Sequence, residues 1–195
     1  MGWKTIQTSK EQCHAHPYAG QQLYFHQRYA SNARCFDRGG ARLSEQLNPN
    51  TKLGGRTQAT LQNEQWDYVV LQEMSHGPLT APKSFFSSVE ALCRQVRANG
   101  AVPILFATWA YQRSGAKLVA KGWDYDEMAQ KLSEAYHRAA RENNALIADV
   151  GRRFYELSDT QELYVADGVH PNETGSRLAA ETIATVIQAH KENEL

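Results

Sequence analysis

The chain of 195 residues lacks any excess of charge, because its 21 basic and 21 acidic residues cancel. Without net charge it has no long-range field that would gather phosphates or anionic lipids, so neither nucleic acid nor a membrane is an expected partner. No apolar run approaches membrane-spanning length, and the first residues lack the apolar core of a signal peptide. These absences predict a soluble, cytoplasmic protein.

Cysteine is scarce, with three residues at scattered positions and no Cys-x-x-Cys pair: Cys13, Cys35 and Cys93. An odd, scattered set favours neither a disulfide framework nor a zinc cluster, and it fits a reducing compartment. Three histidines near the N-terminus have no accompanying carboxylate cluster and are interpreted as surface residues: His14, His16 and His26. These residues therefore predict no metal site.

The alternation of segments from Gln65 onward predicts an α/β protein of one domain over residues 1–195. Short apolar runs alternate with segments of helical period, which is typical of a parallel sheet covered by helices on both faces. Residues 1–38 are atypical in composition and predict only a poor strand at 3–8, a helix from Pro17 through Tyr29 and a weak strand at 33–36. Further strands are predicted at 66–72, 102–108 and 146–150, and helices at 83–99, at 124–143 and from Pro171 onward.

The most informative motif is Asp167-Gly168-Val169-His170-Pro171, which stands just before the final predicted helix. An aspartate three residues before a histidine can orient the imidazole as a base, which is what an activated serine needs. The same residues would also suit a solvated loop or two ligands of a metal. The motif alone leaves these three interpretations open.

The order of four sequence blocks favours the catalytic interpretation, because together they resemble the SGNH (GDSL-like) hydrolases. The blocks are Gly39-Gly40-Ala41-Arg42-Leu43, Trp66-Asp67-Tyr68-Val69-Val70-Leu71-Gln72-Glu73-Met74-Ser75, Ala107-Thr108-Trp109-Ala110 and Asp167-Gly168-Val169-His170-Pro171. The resemblance implies a three-layer α/β/α sandwich with a flavodoxin-like parallel sheet and a serine nucleophile that cleaves esters. The second block looks most like an uncharacterised branch, closer to carbohydrate esterases than to long-chain lipases.

The resemblance also implies roles for individual residues. His170 is the expected general base and Asp167 the residue that holds its tautomer. Gly40 would offer a backbone N–H to the oxyanion, and Gln72 a side-chain amide in place of the family's asparagine. The nucleophile by position is Ser9, although Gln7-Thr8-Ser9 replaces the family's Gly-Asp-Ser or Gly-Asn-Ser.

Residues that follow the predicted strands are expected at the rim of the site. Ser75 offers a hydroxyl, His76 follows a central strand, and Trp109 with Tyr111 could form a platform for an acyl or sugar group. The expected substrates are small acyl esters, including acetyl groups on carbohydrate. The alternative from another class is an inactive binding or interaction module in which the nucleophile segment Gln7-Thr8-Ser9 is degenerate. Metal-dependent phosphoester hydrolysis is disfavoured because no second pair of hard ligands appears in the sequence.

Overall fold

The computed structural model describes residues 28–29, 33–37 and 42–194. Five strands form one sheet in the spatial order β1-β2-β3-β4-β5. The first pair is antiparallel, and every later pair is parallel. The strands are β1 Arg28–Tyr29, β2 Ala33–Asp37, β3 Tyr68–Leu71, β4 Val102–Phe106 and β5 Leu146–Ala148.

Helices cover both faces of this sheet, which confirms the α/β/α architecture. They are α1 Leu43–Leu47, α2 Lys52–Asn63, α3 Gly77–Thr80, α4 Pro82–Ala98, α5 Ala116–Ala120, α6 Tyr125–Glu142, α7 Val150–Leu157 and α8 Glu173–Asn193. The helical period of residues 83–99 and 124–143 predicts an inward apolar face for each segment, and both faces are confirmed as buried. They consist of Phe85, Val89, Leu92, Cys93 and Val96 in α4 and of Tyr125, Met128, Leu132, Tyr136 and Ala139 in α6.

Alternating side chains of the buried strands divide the core between the two faces. Tyr68 and Val70 belong to one cluster, with α7 and α8, whereas Val69 and Leu71 belong to the other, with α4 and α6. A strand that is buried on both faces has no polar side, which is why β3 is a continuous apolar run. This arrangement leaves the carboxyl ends of the parallel strands as the edge where polar side chains gather.

Three predicted boundaries are wrong, each because a local hydrogen bond or strand pairing decides the structure. Val150 belongs to α7 rather than to β5, because Asp149 caps that helix through the backbone N–H of Arg152. The final helix begins after Asn172, which caps Gly175, and not at Pro171. Arg28–Tyr29 pairs with β2 as a strand instead of ending a helix.

Two further outcomes concern segments without a clear sequence signal. The weak strand expected at 33–36 is confirmed as β2, and α7 lies in a stretch that was expected to be irregular. The strand expected at 3–8 and the start of the helix from Pro17 lie outside the described residues.

Candidate active site

Asp167 and His170 are brought together in one turn before α8. Nδ1 of His170 lies 2.5 Å from Oδ2 of Asp167, where a carboxylate can only accept the proton. Oδ1 of Asp167 accepts backbone N–H groups of Val169 at 2.8 Å and of His170 at 2.9 Å. With Nδ1 engaged, Nε2 is the ring nitrogen left for acid–base chemistry. Both side chains are about half exposed, at 52% for His170 and 47% for Asp167.

The chain after β4 holds this turn in place. The carbonyl of Gly168 accepts the backbone N–H of Gln112 at 2.7 Å, and the carbonyl of Val169 accepts Nε1 of Trp109 at 2.9 Å. Gly168 has φ +66°, and a Cβ there would lie 3.2 Å from Oε1 of Gln112. Glycine is therefore suited to this position for both its left-handed backbone and its close neighbour.

The hydrogen bonds within the turn also keep Asp167 ionised. Desolvation alone would raise the pKa of the Asp167 carboxyl, but the bonds from the His170 ring and from the two backbone N–H groups outweigh it and hold the pKa below its usual value. A carboxylate that stays charged can stabilise an imidazolium on His170. This is the electrostatic arrangement that a general base requires.

Glu73 is a buried residue at this edge that the sequence interpretation did not assign. It is 4% exposed and accepts the backbone N–H of Leu43 at 3.1 Å and of Met74 at 2.9 Å. Burial raises the pKa of its carboxyl, although the two backbone hydrogen bonds and the Arg42 charge oppose that effect. Glu73 thereby joins the first turn of α1, which begins at the end of the block Gly39-Gly40-Ala41-Arg42-Leu43, to the end of β3. The available signal is a glutamate two residues after a buried strand.

Gly77 provides the space that Glu73 occupies. A Cβ at Gly77 would lie 2.6 Å from Cγ of Glu73, closer than real side chains approach. Gln72, beside Glu73 at the end of β3, is only partly buried. The chain after β3 thus has one partly exposed amide, that of Gln72, and one buried carboxylate, that of Glu73, next to each other.

Ser75 and His76 meet Tyr111 at the neighbouring strand ends. The hydroxyl of Tyr111 lies 2.7 Å from Nδ1 of His76, and Oγ of Ser75 donates to that hydroxyl at 3.5 Å. Trp123 completes the group, because its ring stacks on Tyr111 at 6.2 Å between centroids and lies 6.0 Å from the His76 ring. Burial lowers the pKa of His76, and the charges of Lys121, Lys117 and Arg42 lower it further.

Trp109 is placed differently from this group. It is 6% exposed, and its ring stacks on Phe154 at 4.2 Å between centroids. Its Nε1 donates to the carbonyl of Val169 in the turn that carries Asp167 and His170, which we call the dyad turn. This is the packing of a core aromatic residue that also holds a loop. A substrate contact by Trp109 stays a prediction.

The remaining expectations lie partly beyond the described residues. Ser9 and Gly40 fall outside them, so the triad and the oxyanion hole are described only through Asp167, His170 and Gln72. Among residues 42–194 no cluster of three or more histidine, cysteine or carboxylate side chains could hold a metal ion. Within the described part of the chain, no helix is long and apolar enough to cross a bilayer.

The α/β/α fold and the Asp167–His170 dyad beside the carboxyl ends of the parallel strands together indicate the family to which this chain belongs. Residues 15–178 match the model of the GDSL-like lipase/acylhydrolase family. A protein from Slackia heliotrinireducens that is described as an SGNH hydrolase shares 50% identity with the chain. Its structure superposes with a TM-score of 0.73 and covers 77% of this chain and 81% of its own. The chain therefore belongs to the GDSL-like, or SGNH, hydrolase family.

More distant structures share the fold. A catalytic mutant of an acetylxylan esterase from Geobacillus stearothermophilus is 16% identical, with a TM-score of 0.51 and coverage of 69% of this chain and 65% of its own. A DUF4886 family protein from Bacteroides uniformis is 22% identical, with a TM-score of 0.55 and coverage of 65% and 52%. Comparison with curated protein sequences gives no match.

Proposed function

We propose that this protein is a serine esterase that hydrolyses small acyl esters through an acyl-enzyme. The observation that carries the proposal is the Asp167–His170 pair, whose geometry engages Nδ1 and leaves Nε2 for proton transfer. Membership of a hydrolase family supports the same chemistry. Neither a metal nor an organic cofactor is part of the proposed mechanism.

In the proposed mechanism Oγ of Ser9 attacks the ester carbonyl carbon while its proton passes to Nε2 of His170. The resulting oxyanion is stabilised by the backbone N–H of Gly40 and the side-chain amide of Gln72. Collapse of this intermediate breaks the bond to the alcohol, which leaves with the proton from His170. Water then attacks the acyl-enzyme with His170 again as base, which releases the acid and restores Ser9. Asp167 stabilises the imidazolium in both halves.

Small acyl groups, including acetyl groups on carbohydrate, are the proposed substrates. The support is the resemblance of the second sequence block to carbohydrate esterases, together with the rings of His76, Tyr111 and Trp123 near the dyad turn. Trp123 also lines a cavity of about 370 Å³ between α3 and α6, a volume suited to a small ligand. Ser75 and His76 are proposed to contact the substrate at this rim.

A fluorophosphonate probe tests the proposal, because it labels an activated serine irrespective of the substrate. Labelling should occur in the parent protein, disappear in Ser9→Ala and fall sharply in His170→Ala, with the attachment site read by peptide mass spectrometry. Ser87→Ala, which removes an exposed hydroxyl on α4, is the matched control and should label like the parent.

Other results would contradict specific parts of the proposal. Attachment of the probe at Ser75 would show that the nucleophile lies after β3 and not in the N-terminal segment Gln7-Thr8-Ser9. No labelling of folded parent protein, together with no hydrolysis of acetyl esters, would favour the rival of an inactive binding module. Hydrolysis that survives His170→Ala within about tenfold, or about 1.4 kcal/mol, would remove the general-base role.

A further inference from the structure

Three positively charged side chains lie near His76, at the rim of the candidate site. Arg42, Lys117 and Lys121 are exposed, and within the described part of the chain no carboxylate forms an ion pair with any of them. Their charges all act on His76.

Carboxylates near this rim are already engaged. Asp126 pairs with Arg113 at 3.0 Å and Glu127 with Lys131 at 2.5 Å. Asp167 accepts a hydrogen bond from the His170 ring, and the buried Glu73 accepts two backbone N–H groups. Among the described residues, Lys117 and Lys121 therefore remain available to pair with an added negative charge.

Aromatic rings give this charge a defined place. The ammonium of Lys117 lies 5.7 Å from the centroid of the Tyr111 ring, and that of Lys121 lies 4.8 Å from the centroid of the Trp123 ring. Such cation–π contacts favour side-chain conformations that keep the two ammonium groups beside these rings. The Trp123 ring is partly exposed and offers contact area to a flat or ring-shaped group, whereas Tyr111, stacked on it, is buried.

The cationic rim is continuous with the dyad turn. A Cβ at Gly168 would lie 3.7 Å from Cα of Gly115, and Lys117 follows two residues later. Val169, between the two dyad residues, belongs to the same buried cluster as Tyr111 and Leu118. A substrate at His170 could therefore extend along the face formed by α5 and the rings.

We propose that Lys117 and Lys121, with the ring of Trp123, form a subsite for a carboxylate group of the ester substrate. The proposal rests on the esterase function and narrows it to esters that carry a negative charge. The carboxylate belongs either to the leaving alcohol, as in an acetylated hydroxy acid, or to the acyl group, as in a monoester of a dicarboxylic acid. Both sources present the same anion to the lysines.

Two matched ester pairs distinguish these sources. 4-Acetoxybenzoate and its methyl ester differ by a carboxylate in the alcohol, whereas mono-4-nitrophenyl succinate and 4-nitrophenyl butyrate differ by one in the acyl group. After correction for alkaline hydrolysis, kcat/KM should favour the charged member of one pair by about three- to tenfold at low salt. At about 1 M salt, where the Debye length is about 3 Å, the preference should largely vanish.

The variant Lys117→Gln/Lys121→Gln should reduce that preference to nearly one. Lys52→Gln/Arg56→Gln removes the same charge from exposed positions of α2 and should retain both the preference and the activity. A preference near one in the parent overturns the subsite. An equal loss of the preference for the charged ester in Lys52→Gln/Arg56→Gln also overturns the subsite, because the effect would then reflect the net charge of the protein alone.

Binding measurements separate failure of the subsite from failure of the esterase function. If neutral esters are hydrolysed without any charge preference, the function stands and the subsite is wrong. If no ester is hydrolysed, calorimetry with 4-hydroxybenzoate and methyl 4-hydroxybenzoate decides. Tighter binding of the carboxylate that Lys117→Gln/Lys121→Gln abolishes supports the subsite, and equal binding of the two compounds overturns it.

Discussion

At the residue scale, Asp167 uses its two oxygens differently. Oδ2 contacts the His170 ring, while Oδ1 accepts two backbone N–H groups of the same turn. An asparagine can still accept those N–H bonds through its carbonyl oxygen, but it cannot stabilise an imidazolium by charge. Replacing Asp167 by asparagine should therefore alter the chemistry of the turn with little change to its backbone structure.

Asp167→Asn should lower kcat for acetyl esters by about 10²- to 10⁴-fold, because the tautomer and the charge that support His170 are lost. The melting temperature should change little, since about half of the side chain is exposed. Asp159→Asn, at an exposed carboxylate paired with Arg113, is the control and should keep its activity. Activity of Asp167→Asn within tenfold of the parent would contradict the dyad.

His76 gives a second residue-scale prediction, measured by NMR titration of its imidazole. Its midpoint should fall below about 6.5, the usual histidine value, because burial and nearby cations disfavour the charged ring. Between the two values the unfolded chain binds more protons than the folded protein. The free energy of unfolding should therefore decrease as the pH falls through that interval. Above it, His76 is neutral in both states and its contribution is constant.

The same titration tests the charge at the rim. Lys117→Gln/Lys121→Gln should move the His76 midpoint upward, toward its usual value, whereas Lys52→Gln/Arg56→Gln should leave it in place. An unchanged midpoint in the Lys117→Gln/Lys121→Gln variant would show that these two charges do not lower the pKa of His76.

At the scale of elements, Glu73 connects α1, β3 and α3. Its carboxylate accepts backbone N–H groups of Leu43 in α1 and of Met74 in the segment after β3, while Gly77 at the start of α3 leaves room for its side chain. The polar atoms of a buried glutamate must be satisfied, so the three elements are expected to depend on one another.

A double-mutant cycle on Glu73 and Gly77 measures this dependence. Gly77→Ala should reduce the free energy of unfolding by about 1–3 kcal/mol, because the new Cβ overlaps the Glu73 side chain. In a Glu73→Ala background the cost of Gly77→Ala should be much smaller, since the overlapping atoms are gone. Urea unfolding of the four proteins gives the coupling energy. Additive effects would show that the contact does not couple these elements.

At the scale of the whole molecule, Cys93 lies on the buried face of α4 and is fully inaccessible. Burial raises the pKa of its thiol to about 11, so both access and thiolate formation oppose reaction. Iodoacetamide at pH 8 should leave Cys93 unmodified in the folded protein and should modify it only on opening of the core.

Peptide mass spectrometry can follow this labelling at increasing urea. The rate at Cys93 should rise with the same dependence on urea as global unfolding, because α4 packs against the centre of the sheet. Cys93→Ala identifies the signal against those of Cys13 and Cys35. Rapid labelling without urea would mean that α4 opens locally.

The sequence by itself determined the α/β class, most inner helix faces and the pairing of Asp167 with His170. Those features depend on periodicity or on residues three apart, which short stretches of chain fix locally. Sequence pattern did not predict α7, whose start depends on the Asp149 cap, and it placed the first residue of α8 incorrectly. Local capping bonds are weak signals in a sequence, although each one sets a helix boundary.

Only the tertiary structure decided which distant residues meet at the candidate site. Leu43 and Glu73 are thirty positions apart, and Trp109 and Val169 are sixty apart. The cationic rim likewise arises because separate loops and α5 converge at the ends of β3 and β4. Such contacts follow from the parallel sheet, whose crossover connections bring strand ends to one edge irrespective of their separation along the chain. The local pattern therefore specified the Asp-His pair, whereas the packing of the sheet specified its surroundings.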